Sequence, residues 1–191
     1  MKKIYSNAKA PEGEQQICVT CGFCCDGTLY MHATLQPGER GHLPEKIEAA
    51  SRTGEGGDYF LLPCGYFAGS CTIYDRERAD VCSTYRCSLL KLFAGGGISQ
   101  EDALRTIREA AVMRDEVLSG YRRITGRDSV AGFRRMLVDL GEVTKDMKKS
   151  VLAAGVQAGD LEMLTVRFNI LEALLIKAFM PAEEFEKYVM K

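Results

Sequence analysis

Apolar and polar residues alternate differently in the two halves of the chain. Beyond residue 98, Leu104, Ile107, Ala111 and Leu118 recur at helical spacing, and Ala110, Met113 and Val117 widen the stripe. Ser99 with Asp102 three residues on is a capping-box-like start for this helix. The same periodicity predicts helices over about 129–140, ended by Gly141, and over about 143–156. A fourth, over about 161–179, carries apolar residues at 161, 164, 168, 171, 175 and 179. Pro181 punctuates it, and 182–190 is expected to form a last short helix. Met113, Phe133, Met136, Met163, Phe168 and Phe179 are expected in the bundle core.

Residues 1–95 lack such runs. Residues 11–17 are polar and read as loop, and Pro37-Gly38, Gly54 and Gly56-Gly57 are turn signals. A short helix is expected over 45–51 and a strand or extended segment over 59–62. Gly95-Gly96-Gly97 reads as a hinge between the textures. The expected fold class is mainly α: a loop-rich cysteine metal-binding module (1–95) followed by a small helical bundle (96–191).

Composition adds little to this picture. The 191 residues are 46% hydrophobic and 27% charged, with a formal net charge of −1. Nothing in that balance points to nucleic acid or an anionic membrane as partner. The basic start Met1-Lys2-Lys3 has no apolar run of about 7–15 residues behind it. The most apolar stretch, 170–180, is interrupted by Glu172 and Lys177 and falls short of the ~20 residues of a membrane span. The expected location is the cytoplasm.

The cysteines change the picture. All eight lie in the front half, at Cys18, Cys21, Cys24, Cys25, Cys64, Cys71, Cys82 and Cys87. A reducing cytosol disfavours structural disulfides. Incidental buried cysteines would scatter along the whole chain. Thiolates are soft ligands, suited to zinc or to an iron–sulfur cluster, and each site collects about four of them. Cys18-x2-Cys21-Gly22 has the form of a metal knuckle, in which a glycine takes positive φ without steric cost. On a helix, positions 18, 21 and 25 would share one face. Thr20 and Gly22 are poor helix residues, so a loop is expected instead. Adjacent side chains point in different directions, so Cys24 and Cys25 are expected to serve different metals or to bridge two. Whether the groups 18–25 and 64–87 each close a site or interleave is open.

Their neighbours fill in the surroundings. Arg76, Arg78, Arg86 and Lys91 lie beside the second group, either offsetting thiolate charge or simply solvated. Tyr74 and Tyr85 are expected to pack over the site with hydroxyls free for an outer bond. With eight thiols available, His32 and His42 are not needed as ligands.

The pattern Cys18-x2-Cys21-Gly22-x-Cys24-Cys25, then Cys64, then Cys71-Thr72-Ile73-Tyr74, Arg78, Cys82, Tyr85 and Cys87, resembles the YkgJ-type zinc- or iron-chelating (CxxCxxCC) domain family. The resemblance covers residues 18–87. It implies that all eight cysteines are metal ligands. The chain departs from the family in having Ala79 where a proline is usual, and one extra residue between Cys71 and Cys82. The cysteine motif is also similar to that of the larger flagellin lysine N-methylases, which raises a metal-dependent group-transfer or redox enzyme as the alternative. No strand followed by G-x-G-x-x-G is present to bind S-adenosylmethionine.

The leading expectation is therefore a metal-binding protein, with the helical half serving for stability, for a protein partner or for a homo-oligomer. Iron–sulfur is favoured over zinc by the ferredoxin-like triple Cys18-x2-Cys21-x2-Cys24 and by the lack of evident histidine ligands. A metal-free thiol switch needs only one or two cysteines and does not explain eight.

Overall fold

A computed structural model of the chain describes residues 11–126, 136 and 158–180. Among these residues the fold is mainly α, with six helices and one small sheet. In chain order they are α1 (Glu12–Cys21), β1 (His32–Thr34), α2 (Glu45–Ala50), β2 (Ser51–Gly54), β3 (Gly57–Leu61), α3 (Asp80–Thr84), α4 (Ser88–Ala94), α5 (Gln100–Thr125) and α6 (Ala158–Phe179). The expected helices over 129–140 and 143–156 lie outside the described residues, apart from Met136, as does that over 182–190.

The first helix corrects the sequence reading. Residues 12–21 form α1, not loop. Its mixed polarity hides the helix, but Ile17 is 1% exposed and anchors it on the core. Gly22 ends it in the left-handed region, at φ 63°, with its amide donating to the Cys18 carbonyl at 3.1 Å. Glycine is thus what stops the helix rather than a sign of its absence.

The three strands lie in the order β1-β3-β2, both pairs antiparallel. Ser51 pairs with Phe60 and Gly54 with Gly57 around a turn at Glu55-Gly56. His32 pairs with Leu61 on the other edge. The expected extended segment at 59–62 is the central strand.

Helix α5 starts as its sequence indicates. The Ser99 hydroxyl accepts from the Asp102 amide at 3.1 Å. That hydroxyl and Arg105 hold the Asp102 carboxyl below its ordinary value. Gly126, at φ 64°, closes the helix. The expected hinge at 95–97 is instead a hydrogen-bonded cap on α4. The amides of Gly95, Gly96 and Gly97 donate to the carbonyls of Lys91, Phe93 and Leu92.

Two apolar cores result. The larger joins Ile17, Phe23, Leu29, Leu89 and Leu90 to the buried faces of α5 and α6, and so draws on both sides of residues 95–97. Met136 and Phe179 are buried in it, and Met113 and Phe168 pack against it, as expected. Met163 is 57% exposed, contrary to expectation, because it lines an open groove between α5 and α6. Phe133 lies outside the described residues. The smaller core is Leu35, Ile47, Phe60, Ile73 and Ala79, between the sheet, α2 and α3. Among the described residues no helix is long and apolar enough to cross a membrane.

Candidate metal centre

Helix α1 carries Cys18 and Cys21 on its last turn, three residues apart and therefore neighbours on its surface. Gly22 then reverses the chain. A Cβ at Gly22 would stand 2.5 Å from the Phe67 ring, so the turn needs glycine for space as well as for φ. Phe23 is driven into the larger core, edge-on to Phe179 with centroids 5.3 Å apart. This places Cys24 and Cys25 in the turn that follows. The Asp26 carboxylate accepts from the Thr28 amide at 2.8 Å and pairs with Arg114 at 2.5 Å, clamping the turn to α5. Burial raises the Asp26 carboxyl, against the lowering by Thr28 and Arg114.

The other four cysteines come from three places. Cys64 follows β3 and is tied to the first group by its own amide, which donates to the Cys25 carbonyl at 2.7 Å. Cys71 pairs through its backbone with Phe67. Cys82 lies on α3. That helix is held by Glu39, fully buried, whose carboxylate accepts from the Asp80 amide and the Gln36 amide, both at 2.6 Å. Cys87 is the residue at the N-cap of α4, and it makes no side-chain cap hydrogen bond there. Backbone amides of Leu89 and Leu90 near Cys87, of Phe23 near Cys21 and of Tyr66 near Cys64 lower those thiols, against the raising by burial. Such donors spread the charge of a thiolate.

All eight cysteines are free, and none is fully exposed. Burial is the first cause raising the thiols of Cys18, Cys21, Cys24, Cys25, Cys64, Cys82 and Cys87. Cys82 is pushed up to about 12. The charge of neighbouring cysteines adds to this for Cys18, Cys21, Cys24, Cys25, Cys64 and Cys82, within and across the two sequence groups. Cys18 and Cys21 both respond to Cys87, and Cys24 responds first to Cys21 and then to Cys87. Cys25 responds first to Cys82 and then to Cys71, and Cys82 first to Cys64.

Packing places seven of the eight. Cys18, Cys21, Cys24 and Cys87 belong with the larger core, and Cys64, Cys71 and Cys82 with the smaller one. The two sequence groups therefore meet in space: Cys87 packs on the larger core with the first three, and the Cys25 carbonyl accepts from the Cys64 amide. As placed, no three Cys, His, Asp or Glu side chains among the described residues are arranged to hold a metal ion. The thiols are neighbours within reach of one another's charge rather than a formed coordination shell. Their donor chemistry, eight soft sulfur ligands, fits zinc or an iron–sulfur cluster.

The surrounding residues sharpen several expectations. His32 is exposed on β1, its ring 5.0 Å from that of Tyr59, and His42 is exposed as well. The Tyr85 hydroxyl is not free for an outer bond, because it hydrogen-bonds to that of Tyr30. Arg86 pairs with Glu14 at 2.7 Å and donates to the carbonyls of Ser83 and Tyr85. Glu14, Asp26, Glu39, Tyr30 and Arg114 escaped the sequence reading. Only Asp26-Gly27-Thr28 left a signal, as an Asx-type turn. The others each make a bond across 41 residues or more, where periodicity carries no information. A cavity of about 690 Å³ lies between α5 and α6, and no cysteine lines it.

Comparison with known protein families, with curated proteins and with solved structures finds no match for this chain.

Proposed function

We propose that this protein holds zinc or an iron–sulfur cluster through its eight cysteine thiolates, in two sets of four. One set is Cys18, Cys21, Cys24 and Cys87, and the other is Cys25, Cys64, Cys71 and Cys82. The observation that carries the reading is the placement of eight free cysteines, none of them exposed: Cys18, Cys21, Cys24 and Cys87 lie at the larger core, Cys64, Cys71 and Cys82 at the smaller, and Cys25 is tied to Cys64 by a backbone hydrogen bond. The cysteine spacing of residues 18–87, which resembles the YkgJ-type family, supports it from the sequence side.

Bound zinc supplies a cross-link that holds short segments together, and an iron–sulfur cluster supplies one-electron transfer. The chain's own contribution is to orient the sulfurs and shelter them. The turn of α1, the Gly22 reversal and the start of α4 present the first set. The loop after β3 and the Glu39-braced α3 present the second. In this reading the front of the chain is a cysteine module, and Cys24-Cys25 is the covalent seam between its two sites.

Anaerobic purification followed by metal analysis and a visible spectrum tests the proposal. Iron with acid-labile sulfide and brown colour, or about two zinc ions per colourless chain, supports it. A folded chain with no metal and eight titratable thiols refutes it.

A further inference from the structure

Among the described residues, one buried side-chain polar atom has no hydrogen-bond partner, and it is Nε of Arg78. Buried donors are nearly always paired, and an orphan calls for a physical reason. Arg78 also pairs with no carboxylate among the described residues. Its guanidinium lies over the Tyr74 ring, 4.2 Å from the centroid, and a terminal nitrogen reaches Ser83 Oγ at a long 3.4 Å. The nearby Arg86 is different, because Glu14 neutralises it. A half-buried cation without a counter-charge is costly unless an anion completes it.

The anion is indicated by the walls of the space beside it. Arg78 lines a small cavity of about 10 Å³ together with Cys18 and Cys82, and with Glu14, whose carboxylate is already committed to Arg86. The two cysteines come one from each proposed set. The cavity admits about one water and no organic ligand, so the counter-charge has to come from the walls. Metal bound by four thiolates carries a net charge of about −2. A guanidinium donor at sulfur offsets that charge and orients the ligand.

We propose that Arg78 is the counter-cation of the thiolate centre, its Nε–H donating to a metal-bound cysteine sulfur at the seam between the two sets. This rests on the metal-binding reading above and assigns Arg78 a positioning role within it.

The test uses the full chain, stripped of metal and titrated with zinc against a chromophoric chelator, in the wild type and in Arg78→Gln and Arg78→Lys. Loss of an outer hydrogen bond to a ligand weakens metal affinity by about 10–100-fold, and this is expected of Arg78→Gln at unchanged stoichiometry. Arg78→Lys keeps the charge without Nε–H and is expected to lose less, up to about tenfold. Urea melting of the metal-free chains provides the control, because a purely structural role would lower metal-free stability in step with affinity. Zinc affinity of Arg78→Gln within about twofold of wild type overturns the inference and leaves a trapped water as the partner of Nε. Affinity losses that track metal-free stability overturn it as well. Should Arg78→Gln fail to fold, Arg78→Lys decides: wild-type affinity overturns the donation, and a loss of about tenfold supports it. A wild type that takes up no metal defeats the metal-binding reading itself, an outcome distinct from these.

Discussion

Gly22 and Gly126 offer a controlled comparison. Both end a helix in the left-handed region, at φ 63° and 64°, with the cap amide donating back to the preceding turn. A Cβ at Gly126 would meet nothing within 4 Å, whereas one at Gly22 would stand 2.5 Å from Phe67 Cε2 and 2.8 Å from Cζ. Alanine at either site incurs the left-handed penalty of about 1 kcal/mol. At Gly22 the Phe67 ring must also swing aside, although the Phe67 backbone is pinned to Cys64 and Cys71. Overpacking of this kind costs about 1–3 kcal/mol. The totals are about 1 kcal/mol for Gly126→Ala and about 2–4 kcal/mol for Gly22→Ala. At about 2–4 °C per kcal/mol for a chain of this size, melting temperatures should fall by about 2–4 °C and about 5–15 °C. Urea or thermal unfolding by circular dichroism measures both. In a Phe67→Ala background the clash is gone, and Gly22→Ala should cost only about 1 kcal/mol more than that background. Equal losses at the two glycines, or no coupling between Gly22 and Phe67, would refute the close approach of the α1 turn to the Cys64–Cys71 loop.

Other perturbations probe the rest of the site. Cys21→Ser and Cys82→Ser should each remove about one of two zinc ions per chain, while His32→Ala leaves metal content unchanged; loss of both ions from either serine variant would point to a single shared cluster. Glu39→Ala strips two buried amides of their charged acceptor and should destabilise the chain by about 2–4 kcal/mol in urea, with Glu39→Gln losing less; a change under about 0.5 kcal/mol would deny Glu39 its bracing role. For the metal-free chain, burial lifts the thiols above their ordinary 9.0. Between that value and the raised one the unfolded thiols lose protons that the folded ones keep, so stability is full below about pH 9 and falls as pH rises through it. Urea midpoints at pH 7 and pH 10 should show the drop, and a flat profile would contradict it.

What the chain discloses unaided is local. The stripe from Leu104 to Leu118, Ser99 with Asp102, and the apolar series at 161–179 place α5 and α6 because a helix writes its period into adjacent residues. The thiol inventory is legible for a similar reason, since residue type and spacing are themselves the signal. Helix α1 was not legible, because few of its positions are apolar and its hold on the core comes mainly from Ile17. Gly22 looked like loop chemistry when it is a cap. The grouping of the cysteines belongs to the tertiary structure. Cys87 lies 62 residues after Cys25 yet packs with Cys18, Cys21 and Cys24 because α4 lies on the core that holds α1, while the Cys25 carbonyl bonds to the Cys64 amide. The same holds for Arg78, one of four cations beside the cysteines in the sequence. Only packing leaves its Nε buried and without a partner among the described residues, beside Cys18 and Cys82, while giving Arg86 to Glu14. Spacing decides which atoms are available as ligands, and long-range burial decides which of them meet.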